Sequence, residues 1–129
     1  MREQTQWWLQ TARTDQDVAH TLIREGHYAA AAFHCQQAAE KALKALFVEL
    51  GHNERTHSSL ELLSRLRQDG VAVEDELFHR ARKLDRSYID SRYPNGIGGP
   101  PSDFYDQRTA EELLEWSQSV MDFAQSKLS

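Results

Sequence analysis

The segment from His34 to Leu50, HCQQAAEKALKALFVEL, constrains this chain more than any other feature. At 100° per residue it divides into two faces of different character. One face carries Tyr28, Ala32, Cys35, Ala39, Ala42, Leu43, Leu46 and Leu50, and its first half is lined by small residues that let another helix backbone approach closely. The other presents His34, Gln37, Lys41 and Lys44, a polar strip whose donors can meet an anion. A helix that is half tight seam and half cationic strip predicts a small helical domain built around an anionic partner.

Composition narrows the field. A chain of 129 residues with 40% hydrophobic content can bury a core without disulfides or metal, and residues 1–129 are expected to form one domain. The net charge of -5 excludes a general nucleic-acid coat, so any contact with nucleic acid has to be a local patch. The single cysteine, Cys35, allows no intramolecular disulfide and no zinc spacing; within the small-residue seam it is expected as a packed thiol. No apolar run reaches the length of a membrane span, and MREQTQWWLQ lacks a signal-peptide core. A cytoplasmic, soluble protein is expected, with no cofactor and no membrane partner.

Five helical segments are expected, with no alternating pattern to suggest a strand. The first runs from about Gln4 to Glu25, with Trp8, Ala12, Ala19, Leu22 and Ile23 on one stripe, and stops at Gly26. The second is the helix described above, closed by Gly51. Ser58 followed by Glu61 is a capping-box signature for a third helix with Leu60, Leu62, Leu63 and Leu66 on its apolar side, ended by Gly70. The fourth begins near Glu74 and ends by Arg92, because Pro94 disfavours helical geometry at Tyr93. The stretch PNGIGGPPSDFYD, from Pro94 to Asp106, reads as a long loop, and the last helix covers roughly Gln107 to Leu128. The fold class is therefore all-α, an up-and-down bundle of four to five helices.

Three polar residues fall on apolar arcs. Asp15 lies between Leu22 and Trp8 on the first helix, Asp85 lies with Phe78, Ala81, Tyr88 and Ile89 on the fourth, and Arg92 shares that arc. Buried carboxylates and guanidinium groups are costly unless paired, so Asp15 or Asp85 is expected to pair with Arg92. Such a pair either fixes helix register or orients Arg92 towards a phosphate, which its planar fork suits. Arg92, with Tyr93, Tyr88, Lys41 and Lys44, makes up the candidate nucleotide- or RNA-binding set. Arg80, Arg82, Lys83 and Arg86 form a second basic cluster that reads as a solvated face or as a patch for a nucleic-acid backbone. His20, His27, His52 and His79 have no acidic or cysteine partners at ligand spacing, so no metal site is expected. Trp7 is the tryptophan expected to be exposed.

The order of these residues resembles a known family. An Asp15-bearing first helix leads through Gly26-His27-Tyr28-Ala29 into CQQAAEKALKALF; Thr56-His57-Ser58 precedes a leucine-rich helix; and Tyr88-Ile89-Asp90-Ser91-Arg92-Tyr93-Pro94 follows. From Trp8 to Phe123 the chain resembles the HEPN family (higher eukaryotes and prokaryotes nucleotide-binding) in its small stand-alone prokaryotic form. The resemblance implies a helical bundle that commonly dimerises and is often encoded beside a minimal nucleotidyltransferase. Several branches are metal-independent endoribonucleases whose motif is an arginine, a short spacer and a histidine. Arg92 matches the arginine, but the histidine would stand at Ile97, Gly98 or Gly99 and is absent. Arg13 with His20 matches literally, on the face of the first helix opposite Trp8 and Leu22, where it has no catalytic context.

Metal-free RNA cleavage needs a base for the 2′-hydroxyl and a cation or donor for the developing charge. Arg92 supplies the second, and His57 or Tyr93 are the residues that stand in for the first if the chain is an enzyme. Without acid–base help the loss would be roughly 100- to 10,000-fold. The favoured expectation is thus a binding and interaction module that holds nucleotide or RNA phosphate at Arg92 and associates with a minimal nucleotidyltransferase in a toxin–antitoxin-like pair. A metal-independent endoribonuclease toxin with a rearranged site is the alternative, and a structural homodimer whose interior polar groups only set register is the third.

Overall fold

A computed structural model describes all residues from Met1 to Ser129. Five long helices carry the fold: α1 Glu3–Arg24, α2 Tyr28–Glu49, α3 Ser59–Gln68, α4 Asp75–Asp90 and α6 Gln107–Leu128, with the single turn α5 Pro94–Ile97 before the last. The bundle is all-helical, as the periodicity requires. Helix α2 lies at its centre, in contact with α1, α3, α4 and α6. Thirteen of its 22 residues are buried, which leaves it only a narrow polar edge.

The small residues explain that position. Ala31, Ala32, Ala38, Ala39, Ala42 and Ala45 are fully buried, and Ala12 and Ala19 of α1 and Ala110 and Ala124 of α6 are buried likewise. Their short side chains allow close helix approach, while Leu43, Leu62, Leu63, Leu66, Leu84 and Val120 fill the remaining volume. Cys35 is fully buried in this seam, and burial pushes its thiol pKa up to about 12. Leu50 departs from the expected seam: it follows the last turn of α2 and is 58% exposed. Ile89 also departs, at 45% exposed, because the α4 face it occupies has no helix over it.

Helix ends follow local chemistry. Gly51, at φ +86°, turns the chain after α2 so that the His52 amide reaches the Phe47 carbonyl at 2.8 Å, and only glycine adopts that conformation freely. The capping box at α3 forms by half. The Ser58 hydroxyl accepts the Glu61 amide at 3.0 Å, but the Glu61 carboxylate takes the Thr56 hydroxyl at 2.6 Å instead of the Ser58 amide. That amide donates to Thr56 Oγ1 at 3.1 Å. The segment after Arg92 is more structured than a loop. Pro94 cannot sit inside a helix but is preset for its first turn, so α5 begins there, and a 3₁₀ turn at Pro101–Asp103 follows. Tyr105 then folds inward, its hydroxyl 3.1 Å from Ser87 Oγ.

Asp85 ties α4 to α3. Its carboxylate accepts the Ser59 amide at 2.8 Å, the Leu60 amide at 2.9 Å and the Ser58 hydroxyl at 2.9 Å. It occupies the positive end of the α3 dipole and satisfies donors the helix cannot use. Replacing Asp85 with Ala should cost about 2 kcal/mol, read as a lower urea midpoint at unchanged slope. Native protein should not react with a thiol reagent at pH 8, and one thiol per chain should appear on denaturation, since Cys35 is both buried and held protonated.

Candidate functional site

The polar edge of α2 meets α1, the start of α3 and the end of α4. His34 and Lys41 are seven residues apart, two turns along one face, and they bracket Asp15 of α1. His34 Nδ1 lies 2.9 Å from one carboxylate oxygen and Lys41 Nζ donates to the other at 2.7 Å. Burial raises the Asp15 pKa, but the hydrogen bonds from His34 and Lys41 and their charges outweigh it and hold the carboxyl below its usual range.

A second chain of bonds runs deeper. Glu40 is 2% exposed; Lys44 donates to it at 2.8 Å, and His57 Nδ1 lies 3.3 Å from it. Gln36 is fully buried and donates to the His57 carbonyl at 2.9 Å and to Asp85 at 3.2 Å. Glu40 thus meets the imidazole of His57 while Gln36 holds its backbone, and the same Gln36 links this chain to the carboxylate that caps α3.

The imidazole of His57 stacks on Tyr88, with centroids 4.7 Å apart and planes at 14°. Arg92 leans onto the same ring, its guanidinium carbon 4.7 Å from the Tyr88 centroid, 4.5 Å from Phe33 and 5.1 Å from Tyr93. Arg92 Nε donates to the Tyr88 carbonyl at 2.8 Å, which fixes the base of the fork. No carboxylate lies within ion-pairing distance of Arg92. The structure therefore brings Arg92, Tyr88, Tyr93 and His57 together, with Phe33 beneath them.

The expected pairing of Asp15 or Asp85 with Arg92 does not form. Both oxygens of Asp15 are taken by His34 and Lys41, and Asp85 turns to α3, where several free donors and a helix dipole outcompete one guanidinium. Lys44 is also corrected. It is 6% exposed, paired with Glu40 and 5.6 Å from the Trp8 ring, so its ammonium is a core group unable to reach an external phosphate. Lys41 stands at the edge with its ammonium committed to Asp15. The polar strip is thus largely self-paired. Gln36 and Glu40 escape the helical wheel; the signal that could have found them is a polar residue every fourth position, Gln36, Glu40 and Lys44, on a helix otherwise lined with alanine.

A cleft of about 790 Å³ lies elsewhere, between α4 and the end of α6. It contains neither Arg92 nor His57, and two of its cations are already paired, Arg67 with Asp75 and Arg80 with Glu76. Size alone is a weaker guide than an unpaired guanidinium, so the Arg92 surface is the better candidate. No three of the His, Cys, Asp and Glu side chains converge as a metal would require. No helix is long and apolar enough to cross a membrane. Arg13 and His20 are both exposed on α1, away from this cluster.

A helical bundle with an exposed arginine at the end of α4 and a conjoined polar edge on α2 defines the class of protein. A family model described as the HEPN domain matches residues 5–127, and the chain belongs to that family. TT1696 from Thermus thermophilus superposes with a TM-score of 0.92 at 38% identity, covering 98% of this chain and 99% of that one. ST0689, an archaeal HEPN homologue, superposes at 0.82 with 28% identity over the full length of both chains, 100% of each. The HEPN domain protein TM0613 of Thermotoga maritima superposes at 0.77 with 28% identity, covering 94% and 96%. MJ1304 of Methanocaldococcus jannaschii, named as a candidate toxin, is 26% identical over 125 residues, 89% of this chain and 82% of its own length.

The lowered Asp15 pKa carries a pH dependence. A carboxyl whose pKa falls on folding contributes stability that is complete above its unfolded value and is lost as pH drops through the folded one. Wild type should therefore lose more stability than Asp15→Asn between about pH 5 and pH 3, by urea titration at each pH. Equal losses would mean that Asp15 titrates alike in the folded and unfolded chains.

Proposed function

We propose that the surface around Arg92 binds the phosphate of a nucleotide or RNA, in a HEPN module that dimerises and works beside a minimal nucleotidyltransferase in a toxin–antitoxin-like pair. One observation carries the binding site: an exposed guanidinium, held over Phe33, Tyr88 and Tyr93, with no carboxylate to neutralise it. Arginine in this setting keeps its fork for phosphate oxygens, and the rings beside it offer π-faces to a base. Lys41, the other cation of the expected set at the protein edge, has its positive charge committed to Asp15. The candidate-toxin name of MJ1304 supports the paired reading. Co-expression with a neighbouring nucleotidyltransferase, followed by size-exclusion chromatography, checks the pair; a homodimer alone would leave only self-association.

A second reading, an endoribonuclease, is favoured by His57. His57, just ahead of α3, would stand in for the missing histidine of the arginine–histidine motif, with Nδ1 directed to Glu40 and the ring stacked on Tyr88. An imidazole so oriented presents Nε2 outward as a base, while Arg92 stabilises charge on phosphorus; Tyr93 is the other hydroxyl at hand.

Replacing Arg92 with Ala should weaken nucleotide or RNA binding at least about tenfold, the loss expected of a charged hydrogen bond, measured by fluorescence anisotropy. Unchanged affinity would remove Arg92 from the site. RNA cleavage by wild type that disappears in both Arg92→Ala and His57→Ala would favour the enzyme over the module.

A further inference from the structure

Helix α4 carries a second set of free cations. Arg82 and Arg86 are one turn apart on its solvent face, about 6 Å along the axis, and Ile89 and Tyr93 continue that face towards Arg92. Ile89 is 45% and Tyr93 51% exposed, so nothing in the chain covers it. Arg82, Lys83, Arg86 and Arg92 all lack an ion-pair partner, whereas Lys41, Lys44, Arg65, Arg67 and Arg80 each have one. Asp85, the acid nearest in sequence, is spent on α3. Asp90 and Glu112 line the cleft between α4 and α6 together with Lys83 and Arg86 but form no ion pair with either. Two like charges four residues apart work against a helix, so the arrangement is explained better by an external anion than by stability.

We infer that this face extends the Arg92 surface into a track for successive phosphates, so that a single nucleic-acid strand binds more tightly than a mononucleotide held at Arg92 alone. The inference rests on the proposed Arg92 site. Three features point to a strand. The cations are spaced along an axis instead of converging on one point. The surface is open to solvent, with Arg92, Tyr93 and the His57 ring all exposed. The exposed His57 ring on Tyr88 offers a stacking platform that only unpaired bases can use. An acidic peptide would satisfy the arginines but leave that platform idle.

The test uses labelled strands of about twelve nucleotides, RNA in one arm and DNA in the other, with adenosine monophosphate as the short ligand. Affinity is measured by anisotropy between about 50 and 200 mM salt for wild type, the R82Q/R86Q double variant and Arg92→Ala. The double variant should bind either strand more weakly and lower the slope of log K against log salt by about 1.4, for two phosphates lost at about 0.7 each. Its affinity for adenosine monophosphate should be unchanged, while Arg92→Ala loses both ligands. A double variant with the wild-type slope overturns the track and leaves the Arg92 site standing. Wild type that binds neither ligand overturns the site and the track together. Displacement of the strand by polyglutamate of equal charge, as efficiently as by unlabelled strand, overturns the nucleic-acid assignment in favour of an acidic protein.

Discussion

Helix α2 has neighbours on four sides, and that crowding governs the rest of the molecule. A helix so placed must be thin where others approach, which accounts for its alanines. It must also neutralise any polar group it carries, because a buried charge left unpaired costs several kcal/mol. Gln36, Glu40 and Lys44 meet that requirement together: each takes a partner from the same set or from an element packed beside it. The network then reaches outward, since Glu40 touches His57 and Gln36 touches Asp85. Features as far apart as the cap of α3 and the orientation of an exposed imidazole are thereby joined to the polar core of one helix.

Most of the fold was legible because it rests on local signals. Hydrophobic period, Ser58 with Glu61, and the glycines after α1, α2 and α3 are each readable within one turn of chain. The misreadings share a cause. Leu50 and Ile89 have the right residue type for burial, but whether a neighbour covers them depends on tertiary placement that a helical wheel does not contain. The segment after Arg92 reads as a loop by its prolines and glycines, yet Pro94 is compatible with starting a turn, and the position of a proline relative to a helix start is a backbone fact.

The site was legible in part for a related reason. Asp15, Asp85 and Arg92 stand out as polar residues on apolar arcs, and all three do hold special positions. Their partners were not readable. Which carboxylate meets which cation is decided by three-dimensional competition: α3 offers Asp85 two amides and a hydroxyl at once, and His34 and Lys41 saturate Asp15 from one face of α2. A sequence shows that a buried charge needs a partner without showing the choice. His57 comes to Arg92 through Tyr88, an aromatic contact across segments 31 residues apart (57 to 88) that no spacing rule encodes.

That competition also decides how an acidic chain can present a basic surface. The net charge is -5, but the acids of the interior are absorbed: Asp15 by Lys41 and His34, Glu40 by Lys44, Asp85 by the α3 terminus. Each carboxylate so used adds little to the field on the outer side of α4. Exposed charges separated by more than about 8–10 Å are screened at physiological salt, so a distant acidic surface on α1 or α6 would not cancel Arg82, Arg86 and Arg92 at contact distance. What a nearby anion meets is the local arrangement, three guanidinium groups without counterions beside exposed rings. Net charge constrains solubility and long-range approach; the internal pairing of carboxylates determines which cations remain for a ligand.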